Sequence, residues 1–165
     1  MRLLLDTHIW LWILSDPKRL GRRAAQYLRD EVNELWLSPI STYEALTLHC
    51  KGRFEIDENL TEWLARATAG TREAPLTHEI AFVARQLPLH EDPADRILAA
   101  TAEVLDLTLV TANERLLGLG TIRTMANRLP PRRKNGSRSG HAHASITSGG
   151  SRQRNVGRSG IQPRS

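Results

Sequence analysis

Short apolar runs in this chain alternate with longer stretches in which apolar residues recur every third or fourth position. Leu3-Leu4-Leu5 is the first run, and it predicts a buried strand over 3–5. Residues 7–14 then read as a helix, closed by Ser15-Asp16-Pro17, and 21–31 as a second, with Ala24, Tyr27 and Leu28 on one face. A strand over 35–38 ends at Pro39, and a helix over 41–51 stops at Gly52. Leu60, Trp63, Leu64 and Ala67 have amphipathic spacing, ending near Gly70, and Ile80, Val83, Ala84 and Leu87 repeat it before Pro88. A helix over 93–105 turns Ala94, Ile97, Leu98, Thr101 and Ala102 inward, and strands follow at 108–111 and, as an edge, at 122–123. Strands alternating with helices predict an α/β fold whose parallel sheet is covered on both faces.

Charge divides the chain in two. Residues 131–165 contain seven Arg, one Lys and no Asp or Glu among Gly, Ser and Asn. Such a segment cannot bury enough apolar surface to offset its ordering entropy, so 129–165 is expected to be a disordered basic tail after a domain at 1–128. The whole chain has 23 Lys+Arg against 18 Asp+Glu, but without the tail the balance is 15 against 18. The folded part therefore has no global basic footprint, and nucleic-acid binding has to rest on local features. A single cysteine, Cys50, excludes an internal disulfide and a thiolate metal cage. Asp6 and His8 interrupt the apolar start, which argues against a signal peptide, and 3–14 is too short for a bilayer. The expectation is a cytoplasmic protein without a membrane partner.

Three carboxylates carry the chemistry: Asp6, Glu44 and Asp95. Asp6 ends the first apolar run, where ligands sit beyond the carboxyl ends of parallel strands. Each acid also has a structural explanation. Asp6 can cap the helix at 7, Ser41-Thr42-Tyr43-Glu44 fits a capping box, and Asp92-Pro93-Ala94-Asp95 fits a helix start. Their conjunction favours a further role. Glu44 and Asp95 lie on or beside inward-facing stripes, where a carboxylate is costly without a positive partner. A divalent cation such as Mg²⁺ or Mn²⁺ resolves that conflict and suits oxygen ligands. Asn113 and Glu114 stand just beyond the strand at 108–111, where Asn113 can equally cap the next helix. Other residues promise less. His8 and His90 have no zinc spacing, Ser38, Ser41 and Thr111 no triad partners, and no phosphate-binding Gly loop follows the first strand. Trp10 and Trp12 read as core, and His141 and His143 as incidental.

The order Leu-Leu-Leu-Asp-Thr-His (3–8), Ser-x-x-Glu (41–44), His-x-Asp-Pro-x-Asp-Arg-Ile-Leu-Ala-Ala (90–100) and Leu-Val-Thr (109–111) resembles the PIN-domain ribonucleases, nearest the VapC-type toxins of bacterial toxin–antitoxin pairs. The similarity runs over about 2–123. It implies a three-layer α/β/α sandwich and Mg²⁺- or Mn²⁺-dependent RNA cleavage. It implies metal ligation by Asp6 and Asp95, with Glu44 acting directly or through water. Thr7, Asp92, Thr111 and Glu114 would support the cluster. It further implies a homodimer and a small VapB-type antitoxin seated in the active-site groove. In this family an acid usually stands two residues beyond the strand's threonine. Here Asn113 occupies that place, and an amide can ligate through its carbonyl oxygen but brings no charge. Two rival readings are a metal-dependent phosphohydrolase of small phosphate esters and a PIN module that binds RNA or a partner with weakened catalysis.

Overall fold

The computed structural model describes residues 1–89 and 92–129. The expected tail over 129–165 lies, apart from Leu129, outside the described residues, as does His90. The sheet has five parallel strands: β1 (Arg2–Leu5), β2 (Glu34–Leu37), β3 (Arg72–Glu73), β4 (Thr108–Thr111) and β5 (Arg123–Ala126), in the order β3-β2-β1-β4-β5. The helices are α1 (Thr7–Ser15), α2 (Arg22–Arg29), α3 (Pro39–Cys50), α4 (Leu60–Thr68), α5 (His78–Gln86), α6 (Pro93–Val104) and α7 (Glu114–Leu117). A 3₁₀ turn, Pro17–Arg19, links α1 to α2. Among the described residues no helix is long and apolar enough to cross a membrane.

The pleat of β1 divides the core. Leu3 and Leu5 pack with Ile9, Trp10, Ala24, Ala45, Trp63, Val110 and Met125 on one face. Leu4 packs with Ile80, Ala84, Leu98, Ala99, Leu109 and Leu116 on the other. Successive side chains of a strand point to opposite faces, so a continuous Leu run suits a strand buried on both sides. The result is three layers, with β1 in the middle of the middle one. Its register sets Leu4 beside Trp36 of β2 and Leu109 of β4. From β1 the chain first builds outward to β2 and β3, then crosses to β4 and β5 on the other side. The strand order therefore reverses between β1 and β4, the point where open α/β sheets place ligands.

Two details correct the sequence pattern. The α3 helix begins at Pro39, and its cap is Ser38, whose Oγ accepts from the Ile40 amide. Pro is well suited to a first helical position, so Pro39 starts this helix as well as ending the strand. Ser41 is thus inside the helix, buried, with its Oγ unpartnered, and Glu44 is one and a half turns in, out of reach of a capping box. The strand β3, two exposed residues paired to β2, has no apolar period to announce it, whereas the one-turn α7 is announced by its Asn113 cap alone. Gly52 and Gly70 do stand just past α3 and α4 with φ of 65° and 81°, conformations that glycine adopts at little cost.

A polar clasp joins the end of β5 to the turn that leads into α2. Asn127, buried after β5, accepts from the Gly21 amide at 2.6 Å and donates to the Arg19 carbonyl at 3.0 Å. Gly21 lies so close that a Cβ there would sit 2.2 Å from the Arg128 carbonyl oxygen. Gly21→Ala should therefore push this clasp apart and destabilise the domain by about 1–3 kcal/mol, as overpacking does. A urea melt measures it; an unchanged midpoint would show that the clasp yields without cost.

Candidate active site

At the reversal of strand order, the Asp6 amide donates to the Val110 carbonyl at 3.1 Å, which continues the β1–β4 ladder for one residue past its end. The Asp6 side chain, buried, accepts from the Thr111 hydroxyl on one oxygen and from the His8 amide at 3.3 Å on the other. It is both the N-cap of α1 and the floor of a cleft. Thr7, the first helical residue, donates its hydroxyl to Glu44 Oε2 at 2.6 Å, pulling the α3 carboxylate toward the same place. From the other face of the sheet, α6 presents its N-terminus: Asp92 caps it by accepting from the Ala94 amide at 2.9 Å, and Asp95 is in its first turn.

Asn113 completes the rim with both halves of its amide engaged. Its Oδ1 accepts from the Arg115 amide at 3.0 Å, capping α7, and its Nδ2 donates to Asp95 Oδ2 at 2.8 Å. A backbone amide can only donate, so the oxygen must face Arg115 and the nitrogen must face the acid. The amide thus meets Asp95 as a donor, with its ligating oxygen turned away.

Asp6, Glu44, Asp92, Asp95 and Asn113 line one cleft of about 330 Å³, together with His8, Trp12 and Ala112. Thr7 and Thr111, both buried, stand behind the carboxylates that they hydrogen-bond. Glu114 is exposed in the first turn of α7 and is not part of this wall. Trp10 is core, its Nε1 donating to the Ala67 carbonyl at 3.0 Å. Trp12, expected beside it in the core, is half-buried and turned to the cleft. The periodicity of α1 contains that signal, since His8 and Trp12 are four residues apart and share a face next to the capping acid. A larger groove beside Lys18, Arg22 and Arg29 contains one acid, Asp30.

Electrostatics sets this cleft apart. Burial holds the Glu44 carboxyl above the usual range; the Thr7 hydrogen bond opposes that, and the charges of Asp92, Asp6 and Asp95 add to it. Asp95 is likewise raised by burial and then by Asp92 and Asp6, against the opposing pull of Asn113 and Arg115. Two like charges about 6 Å apart repel by about 3 kcal/mol at an effective dielectric near 20. The donor set suits a hard divalent cation: carboxylate oxygens, with no sulfur. The scaffold engages both oxygens of Asp6 and one oxygen each of Glu44, Asp92 and Asp95. Among the described residues, Glu44 Oε1 and Asp95 Oδ1 form no hydrogen bond and are available to a ligand. No three of these side chains are gathered tightly enough to hold a metal as they stand.

The family model for the PIN domain matches residues 3–120, which spans every residue of this cleft. The chain belongs to the PIN-domain family. Its PIN domain is 33% identical over 115 residues to Ribonuclease VapC22 of Mycobacterium tuberculosis (strain ATCC 25618 / H37Rv), covering 68% of this chain and 88% of that protein. Among solved structures, the fold is similar to that of VapBC2 from Rickettsia felis bound to a promoter DNA fragment (TM-score 0.61, 17% identity, 76% of this chain and 98% of that one). It is also similar to DNA-bound VapBC from Salmonella typhimurium (TM-score 0.57, 17% identity, 76% and 98% covered). PIN-domain ribonucleases of the VapC type generally depend on a metal.

The raised carboxyls set a pH dependence for the metal-free domain. A carboxyl whose folded pKa exceeds its unfolded value favours the fold below the unfolded pKa, and that contribution is lost as pH rises through the folded pKa. In the presence of chelator, stability is expected to fall as pH climbs from about 4 through the raised values of Glu44 and Asp95. Glu44→Gln removes one titrating group and keeps an acceptor for Thr7, so its stability relative to the parent should rise with pH over that window. Urea melts across pH in EDTA test this. A pH-independent difference would mean that the acids do not burden the fold.

Proposed function

We propose that this chain is an endoribonuclease of the VapC type, the toxin of a toxin–antitoxin pair, which hydrolyses RNA phosphodiesters with Mg²⁺ or Mn²⁺. The observation that supports it most is the gathering of four carboxylates, from the start of α1, from α3 and from the start of α6, in a cleft at the strand-order reversal. The similarity to Ribonuclease VapC22 supports the substrate class, and the toxin–antitoxin neighbours support the partner.

In this reading Asp6 and Asp95 hold the cation, Asp6 anchored by Thr111 and Asp95 offering its unbonded Oδ1. The ion supplies the positive charge that a phosphodiester needs during in-line attack by water. Glu44, oriented by Thr7, takes the proton of the attacking water at Oε1, and its raised pKa brings it nearer the operating pH of a base. Asp92 caps α6 and keeps Asp95 in its first turn, adding negative charge to the cleft. A small VapB-type antitoxin would occupy the groove, and the toxin would act as a homodimer in the cytoplasm.

Asp95→Asn is expected to lower RNA cleavage at least about a hundredfold without lowering the melting temperature, the scale of losing a group that acts on the reacting centre. Single-stranded RNA and nucleoside monophosphates, each assayed with and without chelator, separate the readings. Cleavage of the monophosphates alone would favour a small-ester phosphohydrolase, and chelator-insensitive RNA cleavage would remove the metal.

Asn113 generates a second expectation. Asn113→Asp preserves the cap of α7, since Asp caps as well as Asn, but turns a donor to Asp95 into a repelling charge. The variant should melt lower in EDTA, gain more from Mn²⁺ than the parent does, and need less Mn²⁺ for half-maximal cleavage. Thermal melts and activity titrations on both proteins check it, with Glu114→Gln as the comparison. A shift seen only in Glu114→Gln would place the missing charge at Glu114.

A further inference from the structure

A cleft lined by four carboxylates repels the phosphates of an approaching RNA strand, so something beside it must hold that strand. The wall that α1 contributes offers a candidate. Trp12 lines the cleft, and the Arg19 guanidinium lies over its indole, 4.4 Å from the ring centroid. His8, one turn earlier on α1 and largely exposed, has its ring 6.2 Å from that of Trp12, tilted by 54°. Arg19 is displayed by a rigid turn. Its amide donates to the Asp16 carbonyl at 3.0 Å, the Leu20 amide to the Pro17 carbonyl at 3.1 Å, and its own carbonyl accepts from Asn127 at 3.0 Å. Beyond it, Lys18, Arg22 and Arg29 line a groove of about 760 Å³. Acid cleft, aromatic wall, stacked arginine and basic groove thus follow one another along α1, the 3₁₀ turn and α2.

We infer that Trp12 and Arg19 form the RNA-positioning edge of this active site. Arg19 binds a phosphate that flanks the scissile bond, and Trp12 with His8 forms the wall on which the adjoining base rests. A guanidinium stacked by its face on an aromatic ring keeps its edge N–H groups for phosphate oxygens, and the stacking pre-organises it for that contact. Base-on-aromatic stacking with a tracking cationic groove is the general means of holding single strands without reading sequence. This inference rests on the ribonuclease reading above.

The test uses the full chain, a fluorescent single-stranded oligoribonucleotide and Mn²⁺, with binding measured by anisotropy in EDTA. Arg19→Gln is expected to raise KM about tenfold with kcat within about twofold of the parent. It should also reduce the slope of log affinity against log salt by about 0.7, one phosphate contact on a single strand. Trp12→Phe should retain most of the affinity and Trp12→Leu should lose about as much as Arg19→Gln. Melting temperatures control for the packing that Trp12 also provides, and Arg19→Gln, at an exposed position, carries the decision if Trp12→Leu is unstable. Unchanged KM and salt slope in Arg19→Gln, with the parent cleaving RNA in a chelator-sensitive way, overturns the inference and leaves the ribonuclease reading intact. A parent that neither binds nor cleaves RNA overturns both.

Discussion

The hydrogen bond from Thr111 to Asp6 joins two strand ends at the one place where the sheet changes direction. A buried carboxylate is costly unless donors meet it, and this one is met by a hydroxyl from β4 and an amide from α1. The amide is a local cap, but the hydroxyl is within reach only because β1 and β4 are neighbours in register, with the Asp6 amide extending their ladder onto Val110. The apolar burial of Leu3, Leu4 and Leu5 on two faces fixes β1 at the centre of the sheet. Asp6, Thr7 and, through Thr7, Glu44 are positioned from that strand.

Around this anchor the fold arranges four acids against their mutual repulsion. Asp6, Asp92 and Asp95 sit at helix N-termini, where the aligned peptide dipoles and free amides favour negative charge. Glu44 has no such help, being inside α3, and depends on Thr7. These local attractions are individually modest, and the raised carboxyls of Glu44 and Asp95 show that they do not offset the burial and the crowding. Asn113 relieves part of the conflict by donating to Asp95, where a carboxylate would add to it. The same amide therefore meets Asp95 with its nitrogen, its oxygen being taken by the cap of α7.

Much of the architecture was legible because its signals are local. The Leu run of β1, the spacing of Leu60, Trp63, Leu64 and Ala67, and the Gly residues after α3 and α4 each announce an element through their own periodicity or backbone freedom. The strand β3 and helix α7 are too short to have a period and exist through pairing and capping. The cap of α3 lies three residues before Ser41, although Ser38-Pro39 and Ser41 with Glu44 are both valid helix starts by local rules. The choice fell to the tertiary packing that buries Ser38 and Ser41 and brings Glu44 to Thr7. The apolar neighbours of Trp12 place it in the core, and it does pack there in part, yet it also borders the cleft while Trp10 fills the interior.

The sequence by itself determined that the chain alternates strands and helices, that its central strand ends on an acid, and that further acids stand where helices begin. It did so because strand burial, helix period and capping act over a few residues. Only the tertiary structure decided that residues 6, 44, 92, 95 and 113 share one cleft, since that depends on the strand order and on helices arriving from both faces of the sheet. It alone decided that the Asn113 nitrogen faces Asp95, because two partners 18 and 2 residues away must be satisfied together. Contacts between distant segments have no period along the chain, so they become visible only once the chain has folded.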